Sequence, residues 1–345
     1  MSGPHRLGLN ESAYPPLPAV ADALRRWVGQ AHRYPEFLPN ELRALVAEHV
    51  ALQGDQVSIG AGATGLIGQV ISAVLSRSGQ PVATAGSASA AGLSPTMVTS
   101  VPTFDGYPIL AALAGMEVVS VPLRADGCQD VDALLGAIDS RCRLLALCSP
   151  HNPTGTVLTD AELARVLDSV PADVVVILDE AYIEYAEHRP DTAELIDRYP
   201  NLVVVRTFSK AYGLAGLRVG YAMGSGSVIE AVRAQEMPFG VGSAAAVAVP
   251  VALAARAELA ERVRAMRVQR ERLRSMLSSI GMTTAPSQAN CLLLPGTDGQ
   301  ALGETLRSCG VETRDYGAAG RRITVGDAAS VDFVIAALRA VALSA

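Results

Sequence analysis

The sequence predicts an α/β fold in which a large domain with a mostly parallel sheet precedes a smaller α+β domain. In the middle of the chain, short runs rich in valine, leucine and isoleucine alternate with helical stretches, which is typical of parallel strands buried on both faces. The length of 345 residues allows two domains. We expect an N-terminal arm over 1–38 that joins the small domain, a large domain over 39–249 and a small domain over 250–345.

The pattern before residue 96 combines Pro- and Tyr-rich stretches with helical periodicity. It predicts, in order, an extended arm, a helix near 17–29, a helix from Asn40 to about Leu52, a strand over Val57–Ile59, a helix over about 65–76 and an Ala/Ser-rich loop over 79–95. Apolar runs then predict the remaining strands of the sheet, namely Met97–Val101, Glu117–Val121, Arg143–Cys148, Val174–Leu178, Leu202–Arg206 and Leu217–Met223.

The C-terminal part of the sequence predicts the smaller domain. A long helical stretch follows Pro250, from Val251 to Ser279, and its many arginines form a solvated face. The rest of the chain alternates strands and helices, namely strands over Asn290–Leu294, Val311–Thr313 and Arg322–Val325 and helices near 299–309 and 329–342. This alternation is typical of an α+β unit.

Composition excludes several classes of protein. The net charge of −6 argues against a nucleic-acid partner, because a phosphate backbone requires a basic surface. No apolar run reaches the roughly 18 residues of a membrane span, and the N-terminus lacks the layout of a signal peptide, so we expect no membrane partner and a cytoplasmic location. The five cysteines are odd in number and show no C-x-x-C spacing, which predicts buried thiols and no metal site.

Lys210 is the only lysine among the 28 lysines and arginines of the chain. Arginine can replace lysine for surface charge, but its guanidinium stays protonated and cannot act as an amine nucleophile. A coding bias towards arginine would also leave an occasional lysine behind. The count alone therefore does not decide between a functional lysine and a residual one, and the residues around Lys210 must do so.

A glycine motif over Gly60–Gly65 fits the pattern G-x-G-x-x-G, follows a predicted strand and opens a helix. This pattern suggests a dinucleotide site. The acidic residue that would bind a ribose about 20 residues later is missing, because residues 78–92 contain no aspartate or glutamate. We therefore interpret the motif as a phosphate-binding turn at a helix N-terminus; the motif does not identify the ligand that carries the phosphate.

Polar residues follow the carboxyl ends of neighbouring predicted strands, where open α/β sheets bind ligands. Each has a structural alternative, since Asn152-Pro153 could form a turn, Asp179 could cap a helix and Arg218 could be a surface charge. Together they match pyridoxal phosphate, which needs an amine for an imine, a carboxylate for the ring nitrogen, an amide and a phenol for the ring oxygen, and cations and hydroxyls for the phosphate. The set is Asn152, Asp179, Tyr182, Thr207, Ser209, Lys210 and Arg218.

The segment from Arg206 to Gly220, RTFSKAYGLAGLRVG, resembles the lysine segment of class I/II aminotransferases, and in detail that of the histidinol-phosphate aminotransferase subgroup. The likeness covers nearly the whole chain in order. Its other segments are Leu9–Glu11, Arg33–Glu36, Pro102–Phe104, Ser149–Gly155, Asp179–Glu184 and Arg322–Gly326. The resemblance implies the fold-type I architecture, pyridoxal 5'-phosphate as cofactor and a homodimer with active sites at the subunit interface.

The resemblance also implies a role for each site residue. Lys210, Asp179 and Tyr182 would be catalytic: Lys210 would bind the cofactor aldehyde, Asp179 would pair with the ring nitrogen, and Tyr182 would hold the ring oxygen with Asn152. The other cofactor-binding residues would be Ala63, Thr64, Thr207, Ser209 and Arg218 at the phosphate, Phe104 on the ring face and Tyr34 from the partner subunit. The substrate-binding residues would be Arg322, which clamps the anionic group, Asn152, Arg314 and Tyr14.

The reaction implied by the resemblance is transfer of an amino group between an amino acid or a histidinol-phosphate-like amino-alcohol phosphate and a 2-oxo acid. The freed Lys210 would act as general base, with a pKa lowered by burial and nearby cations. An arginine fork accepts carboxylate or phosphate, so Arg322 does not identify the substrate. Decarboxylation, elimination or oxidation on the same cofactor, and a nicotinamide oxidoreductase that uses the glycine motif, remain alternatives.

Three features depart from the family pattern. The Ala/Ser-rich stretch 79–95 resembles an insertion of about a dozen residues, which we expect to lie on the surface. His151 stands where relatives often have asparagine, and it could occupy a turn or contact the substrate. Gly240-Val241-Gly242 replaces bulkier polar residues of the subgroup in a segment that usually lies near the site, which leaves substrate preference open.

Overall fold

The computed structural model describes residues 5–77 and 94–342. The predicted loop and insertion over 79–95 therefore lie almost wholly outside the described residues. The strands are β1 (His5–Arg6), β2 (Val57–Gly60), β3 (Thr96–Val101), β4 (Glu117–Pro122), β5 (Cys142–Cys148), β6 (Val175–Asp179), β7 (Leu202–Thr207), β8 (Gly220–Gly224), β9 (Cys291–Pro295), β10 (Val311–Glu312), β11 (Arg314–Asp315) and β12 (Gly320–Thr324).

The helices surround the strands and agree with most of the predicted positions to within a few residues. They are α1 (Pro18–Trp27), α2 (Asn40–His49), α3 (Gly62–Arg77), α4 (Gly106–Leu113), α5 (Val131–Gly136), α6 (Asp160–Ser169), α7 (Thr192–Arg198), α8 (Gly226–Arg233), α9 (Ser243–Ala254), α10 (Arg256–Ser279), α11 (Gly296–Ser308) and α12 (Ala328–Ala342). The prediction of an α/β fold with strands separated by helices is confirmed.

Seven strands form the central sheet in the order β2-β8-β7-β6-β5-β3-β4. Its strands are buried on both faces, as predicted: Leu145 and Leu147 of β5 belong to one core cluster, and Leu144 and Ala146 belong to the cluster on the opposite side. Successive side chains of a strand point to opposite faces, so one apolar run contributes to both cores. This arrangement fixes the carboxyl ends of β3, β5, β6 and β7 along one edge of the sheet.

The strand β8 runs antiparallel to both β7 and β2, whereas its apolar run was expected to add a parallel strand. It also begins later than predicted, at Gly220, because Ala215–Leu217 forms a short 3-10 turn and Arg218 adopts a left-handed backbone conformation, with φ of 49°. A parallel connection needs a crossover helix, which the segment between β7 and β8 does not contain. The remaining six strands are mutually parallel, so the prediction of a mostly parallel sheet is confirmed.

The single helix predicted over Val251–Ser279 is wrong: the structure has α9 and α10, bent by 82° at Ala255. Pro250 lies inside α9, which packs on the central sheet through residues such as Ala245 and Ala248. The helix α10 packs instead on a second core through Val263 and Leu273. The bend thus follows from the need to bury two helix faces against two different cores. No single described helix has the length and apolar character of a membrane span; α9 and α10 meet that test only as a bent pair.

The second core is built on an antiparallel sheet of three strands in the order β11-β12-β9, covered by α10, α11 and α12. The N-terminal segment joins this part of the molecule. Its strand β1 pairs in parallel with β10, and Leu7 is buried in the same core. Residues 8–11 then cross from this core towards the carboxyl ends of the central strands, which brings them to the edge where polar residues collect.

Candidate active site

A cavity of about 410 Å³ lies at the carboxyl ends of β5, β6 and β7, between the central sheet and the three-stranded sheet. Such a volume suits a small-molecule ligand. Twelve of the predicted site residues line it: Ala63, Thr64, Phe104, Asn152, Asp179, Tyr182, Thr207, Ser209, Lys210, Arg218, Arg314 and Arg322. They come from loops far apart in sequence, and the sheet edge brings them together because ligands bind there in open α/β folds.

Lys210 lies in the turn after β7 and projects into this cavity. Its Nζ donates hydrogen bonds to the backbone oxygens of Asn10, at 2.9 Å, and Leu9, at 3.4 Å. Burial, and secondarily the positive charge of Arg322, lowers the pKa of Lys210 to about 8. The lowered pKa expected from the sequence is therefore confirmed, and a substantial fraction of this amine is neutral near pH 8.

Asp179 is the last residue of β6 and is buried at the floor of the cavity. Its Oδ2 accepts a hydrogen bond from the hydroxyl of Tyr107 at 2.8 Å, and its Oδ1 accepts one from the backbone N–H of Ala181 at 3.0 Å. Burial raises its pKa to about 6, while these two hydrogen bonds and Lys210 oppose the rise. Asp179 is thus a buried anion near neutral pH, which is what a protonated ring nitrogen requires as partner.

Two predicted ring-oxygen ligands lie on either side of the cavity. The hydroxyl of Tyr182 accepts a hydrogen bond from Nδ2 of Asn10 at 3.0 Å. The side-chain oxygen of Asn152 accepts hydrogen bonds from Nη1 of Arg322, at 2.6 Å, and from the hydroxyl of Tyr316, at 3.2 Å. These contacts leave the amide N–H groups of Asn152 free to donate, because its oxygen is the atom already engaged.

His151 is buried behind this loop and does not line the cavity. Of the two roles considered for it, a position in a turn agrees with the structure and a contact with the substrate does not. Its Nδ1 lies 3.0 Å from Oγ1 of Thr154, and Nε2 lies 3.5 Å from Oγ of Ser100. Burial lowers its pKa to about 3, so the imidazole is neutral at physiological pH. Its position supports the loop that carries Asn152.

The other end of the cavity has the form of a phosphate site. Helix α3 begins there at Gly62, so the first backbone N–H groups of the helix, including those of Ala63 and Thr64, face the cavity without partners inside the helix. Gly62 has φ of +75°, and a Cβ on it would lie 2.7 Å from Nη2 of Arg218. Glycine at this position therefore permits the close approach of Arg218 to the helix N-terminus.

Arg218 completes that end together with two hydroxyls. In the part of the chain that the structure describes, its hydrogen bonds go to neutral oxygens: Oγ of Ser209 at 3.4 Å and the backbone oxygens of Ala215 and Ala61. Oγ1 of Thr207 donates to Oγ of Ser209 at 3.0 Å. A guanidinium, hydroxyls and helix N–H groups fit a phosphate dianion, which agrees with the interpretation of the glycine motif as a phosphate-binding turn.

Arg322 defines the substrate end. It is buried in β12, and its guanidinium donates to Oδ1 of Asn152, to the hydroxyl of Tyr316 at 3.1 Å and to the backbone oxygen of Gly8 at 2.6 Å. Its buried Nε has no hydrogen-bond partner among the described residues. A buried guanidinium held only by neutral oxygens is suited to bind an anionic group of a ligand.

Tyr14, Tyr34 and the segment Gly240–Gly242 do not line the cavity of this chain. The ring of Tyr14 packs against Arg262, with its centre 5.5 Å from Cζ. The side chain of Tyr34 is 84% exposed and stacks near Phe239. The role predicted for Tyr34 is in a partner subunit, so its position outside the cavity agrees with that role without testing it.

Sequence reasoning missed Asn10, Asp105, Tyr107 and Tyr316. Asn10 lies in a segment that was noted for its likeness to the family, but no role was assigned to it. Tyr107 lies in the first turn of α4, three residues after Phe104, which precedes the helix, and the two rings meet edge to face with centres 5.5 Å apart. Neither signal specifies a contact with Tyr182 or Asp179, since those contacts depend on the tertiary fold.

The fold and these groups define an enzyme of the fold-type I, pyridoxal-phosphate-dependent class. The family model described as "Aminotransferase class I and II" matches residues 4–338. The chain belongs to this family and is an aminotransferase that acts on amino and oxo acid substrates with pyridoxal phosphate as cofactor.

Among curated relatives, the chain is similar to an aromatic amino acid aminotransferase of Nocardia farcinica, with 42% identity over 94% of this chain and 88% of the relative. It is also similar to an aromatic amino acid aminotransferase of Rhodococcus jostii, with 39% identity over 97% of this chain and 89% of the relative. Among solved structures, it resembles the histidinol-phosphate aminotransferase of Sinorhizobium meliloti in complex with pyridoxal-5'-phosphate, with a TM-score of 0.87, 29% identity, and coverage of 99% of this chain and 91% of the other.

Proposed function

We propose that this aminotransferase moves the amino group of an aromatic amino acid to a 2-oxo acid. The observation that carries the proposal is the charge at the substrate end: Arg322 has neutral partners, whereas Arg314 is ion-paired with Asp105. One free arginine suits a substrate with one carboxylate. The relatives at 42% and 39% identity are named for aromatic amino acids, which supports an amino acid over the amino-alcohol phosphate, the two substrate classes that the sequence left open.

The walls of the substrate end agree with an aromatic side chain. Leu9, Phe104 and Tyr316 line this part of the cavity, and the Tyr316 ring lies beneath the guanidinium of Arg322, with its centre 5.7 Å from Cζ. Apolar and aromatic walls favour an apolar side chain through burial of its surface, and aromatic rings add favourable ring contacts. Arg322 would orient such a substrate by binding its carboxylate.

Bound pyridoxal phosphate supplies an aldehyde that captures the substrate amine and a ring that accepts electrons from the substrate carbon. Its phosphate would be held by the N-terminus of α3 with Thr207, Ser209 and Arg218, and Phe104 would cover one face of the ring. Asp179 would hold a proton at the ring nitrogen. Asn152 and Tyr182 would donate hydrogen bonds to the ring oxygen.

Lys210 moves the proton of the reaction. Its Nζ would take the proton from the substrate carbon that bears the amine and deliver it to the cofactor carbon that receives the amino group, so Nζ must be neutral when it takes the proton. The pKa of about 8 makes this form accessible near neutral pH. When Lys210 is protonated, the backbone oxygens of Asn10 and Leu9 accept hydrogen bonds from its ammonium group and keep it at the cavity.

The direct test is to add amino donors one at a time to the purified protein loaded with pyridoxal phosphate. Phenylalanine, tyrosine or tryptophan should each bleach its visible absorbance and yield one equivalent of the matching oxo acid, and a 2-oxo acid should restore the absorbance. Histidinol phosphate should react at least about tenfold more slowly, because its phosphate lacks a free second cation. Reaction with histidinol phosphate alone would overturn the proposal, as would release of carbon dioxide from the aromatic donors.

We also propose a homodimer that shares its active sites. Tyr34, Phe37 and Phe239 are large exposed apolar side chains, and the ring of Phe239 contacts those of Tyr34 at 4.9 Å and Phe37 at 5.1 Å; Met237, two residues before Phe239, is exposed as well. Exposed aromatic clusters of this kind are typical of subunit interfaces. In a dimer, Tyr34 would reach the cofactor phosphate of the other subunit.

Mixing two inactive variants tests the shared sites. Lys210→Ala and Tyr34→Ala should each lose activity alone, but a mixed dimer would contain one site with both native residues. After random exchange of subunits, about a quarter of the sites should therefore be native, and activity should return to about that fraction. Absence of any recovery, or a monomer mass in sedimentation of the wild-type protein, would contradict the homodimer.

A further inference from the structure

Two arginines of the cavity stand directly opposite each other. Arg314 of β11 and Arg322 of β12 are register partners in an antiparallel pair of strands. Residues in such positions project from the same face of a sheet, with Cβ atoms about 5 Å apart. Both line the cavity. The substrate end therefore has two guanidinium groups side by side, enough in principle to bind a substrate with two anionic groups.

The guanidinium groups of Arg314 and Arg322 have different binding partners. Arg322 is buried and held by neutral oxygens, as described above. Arg314 is about half exposed, and its Nη2 forms an ion pair with Oδ2 of Asp105 at 2.6 Å. Asp105 precedes α4 and directly follows Phe104, so this ion pair joins the central-sheet part of the molecule to the three-stranded sheet at the mouth of the cavity.

The negative charge of Asp105 acts inside the cavity as well as at its mouth. The hydroxyl of Tyr316 accepts a hydrogen bond from Arg322, and its pKa is raised to about 12, mainly by burial. Arg322 and Arg314 oppose this rise, whereas Asp105 adds to it. Asp105 therefore lies close enough to influence the hydroxyl that binds Arg322. A second anionic group that approaches Arg314 must displace this carboxylate or bear its repulsion.

We propose that Asp105 determines substrate specificity by occupying Arg314, which lowers the affinity of the cleft for ligands that carry a second anionic group. This inference rests on the proposed function, because it explains why a cleft with two arginines should prefer an amino acid with one carboxylate and an uncharged side chain. Asp105 acts here through Arg314 and not through the reacting atoms. Ligands with a second carboxylate or a phosphate ester belong to the disfavoured class.

Binding of unreactive acids tests the inference without any reaction. The holoenzyme is titrated in a calorimeter with succinate, which has two carboxylates, and with 3-phenylpropionate, which has one carboxylate and an aromatic ring. The isosteric variant Asp105→Asn should raise the ratio of succinate affinity to 3-phenylpropionate affinity about fivefold, the scale of a partly exposed ion pair. An unchanged or lower ratio would overturn the proposal.

A second variant and a matched control complete the experiment. Arg314→Met should lower the same ratio, and adding Asp105→Asn to it should raise the ratio by less than in the wild-type background, since only the direct repulsion by Asp105 then remains to be removed. An equal effect of Asp105→Asn with and without Arg314 would overturn the proposal. Asp168→Asn removes the same charge from another exposed ion pair, with Arg198, and should leave the ratio at the wild-type value.

The same variants separate this inference from the proposed function. If the wild-type enzyme does not transaminate aromatic amino acids, the proposed function fails, while the affinity ratio still decides the role of Asp105. If it does transaminate them but Asp105→Asn leaves the ratio unchanged, only the present inference fails. In the active enzyme, the ratio of kcat/KM for glutamate to that for phenylalanine should also rise about fivefold in Asp105→Asn.

Discussion

The two ends of the cavity are built in different ways. Within this chain, the phosphate end is formed by two segments that adjoin the central sheet, the N-terminus of α3 and the short segment from Thr207 to Arg218. The substrate end joins three distant segments: Gly8–Glu11, Phe104–Asp105 and β11–β12. The cofactor phosphate is the same in every turnover, and backbone N–H groups can bind it. The substrates differ, and side chains on separate elements can vary independently to recognise them.

Lys210 lies where the two ends meet, and its replacement should have the largest effect. Lys210→Ala should lower kcat by at least about 10³-fold, because both covalent capture of the cofactor and proton transfer depend on its amine. Lys210→Arg keeps a positive charge but should be equally inactive, since a guanidinium cannot perform either task. The measurement is the rate of the half-reaction with phenylalanine.

Borohydride reduction and peptide mapping provide the independent readout for Lys210. In the wild-type holoenzyme, the peptide that contains residue 210 should gain the mass of a reduced pyridoxyl group, and it should not do so in either variant. A wild-type peptide without the added mass, or activity retained in Lys210→Arg, would contradict the central role of this amine.

Substitution of Arg218 and of Arg322, one arginine from each end of the cavity, should separate the roles of the two ends. Arg218→Gln should raise the Kd of pyridoxal phosphate about a hundredfold, and Arg322→Gln should raise the KM of phenylalanine by a similar factor. Each change removes charge-assisted hydrogen bonds worth on the order of 3 kcal/mol. Cofactor affinity is measured by fluorescence or dialysis, and KM is measured at saturating cofactor.

The critical result is whether Arg218→Gln and Arg322→Gln weaken different ligands. Arg218→Gln saturated with cofactor should bind phenylalanine almost normally, and Arg322→Gln should bind cofactor almost normally. If both variants weaken both ligands to the same extent, the cavity acts as one electrostatic unit, and the division into two ends is wrong.

Tyr107→Phe tests the role of the buried Asp179 carboxylate, the proposed partner of the cofactor ring nitrogen. The hydroxyl of Tyr107 lowers the pKa of Asp179, which burial raises to about 6. Without this hydrogen bond, the pKa of Asp179 should rise further, by about one unit. Because Asp179 must be ionised to hold the proton at the ring nitrogen, the acid limb of the kcat/KM profile should move to higher pH.

A matched control for Tyr107→Phe is Tyr199→Phe, which removes a hydrogen bond from a tyrosine hydroxyl to Asp168 at 2.7 Å, away from the cavity. Its pH profile should be that of the wild type. An acid limb that stays in place in Tyr107→Phe would show that Asp179 is not the group that titrates there.

The phosphate end could be predicted from the sequence, because its parts lie in short continuous motifs. The glycine turn before α3 and the segment from Thr207 to Arg218 each carry several of its groups within about a dozen residues. The strands were also predicted well, since apolar runs mark burial. The direction of one strand was not predicted: β8 runs antiparallel to its neighbours, and a run of apolar residues contains no information on orientation.

The substrate end was predicted only in part. Arg322 was found through its motif, but its contact with the backbone oxygen of Gly8 joins residues 314 positions apart. The ion pair of Arg314 with Asp105 likewise joins two segments 209 positions apart, and neither residue signals its partner locally. The break between α9 and α10 also escaped prediction, because Ala255 favours helix and only the two separate cores require the bend.

Tyr316→Phe should have the smallest effect and probes the least predictable part of the site. It removes the hydroxyl that accepts a hydrogen bond from Arg322 and donates one to Asn152, while the aromatic ring beneath the guanidinium remains. The loss of about 1 kcal/mol should raise the KM of phenylalanine about fivefold and leave the Kd of pyridoxal phosphate within twofold. Tyr14→Phe is the comparison, since Tyr14 was expected to contact the substrate but packs on Arg262 outside the cavity. A larger effect of Tyr14→Phe than of Tyr316→Phe would mean that the substrate end extends beyond the residues that line it in this chain.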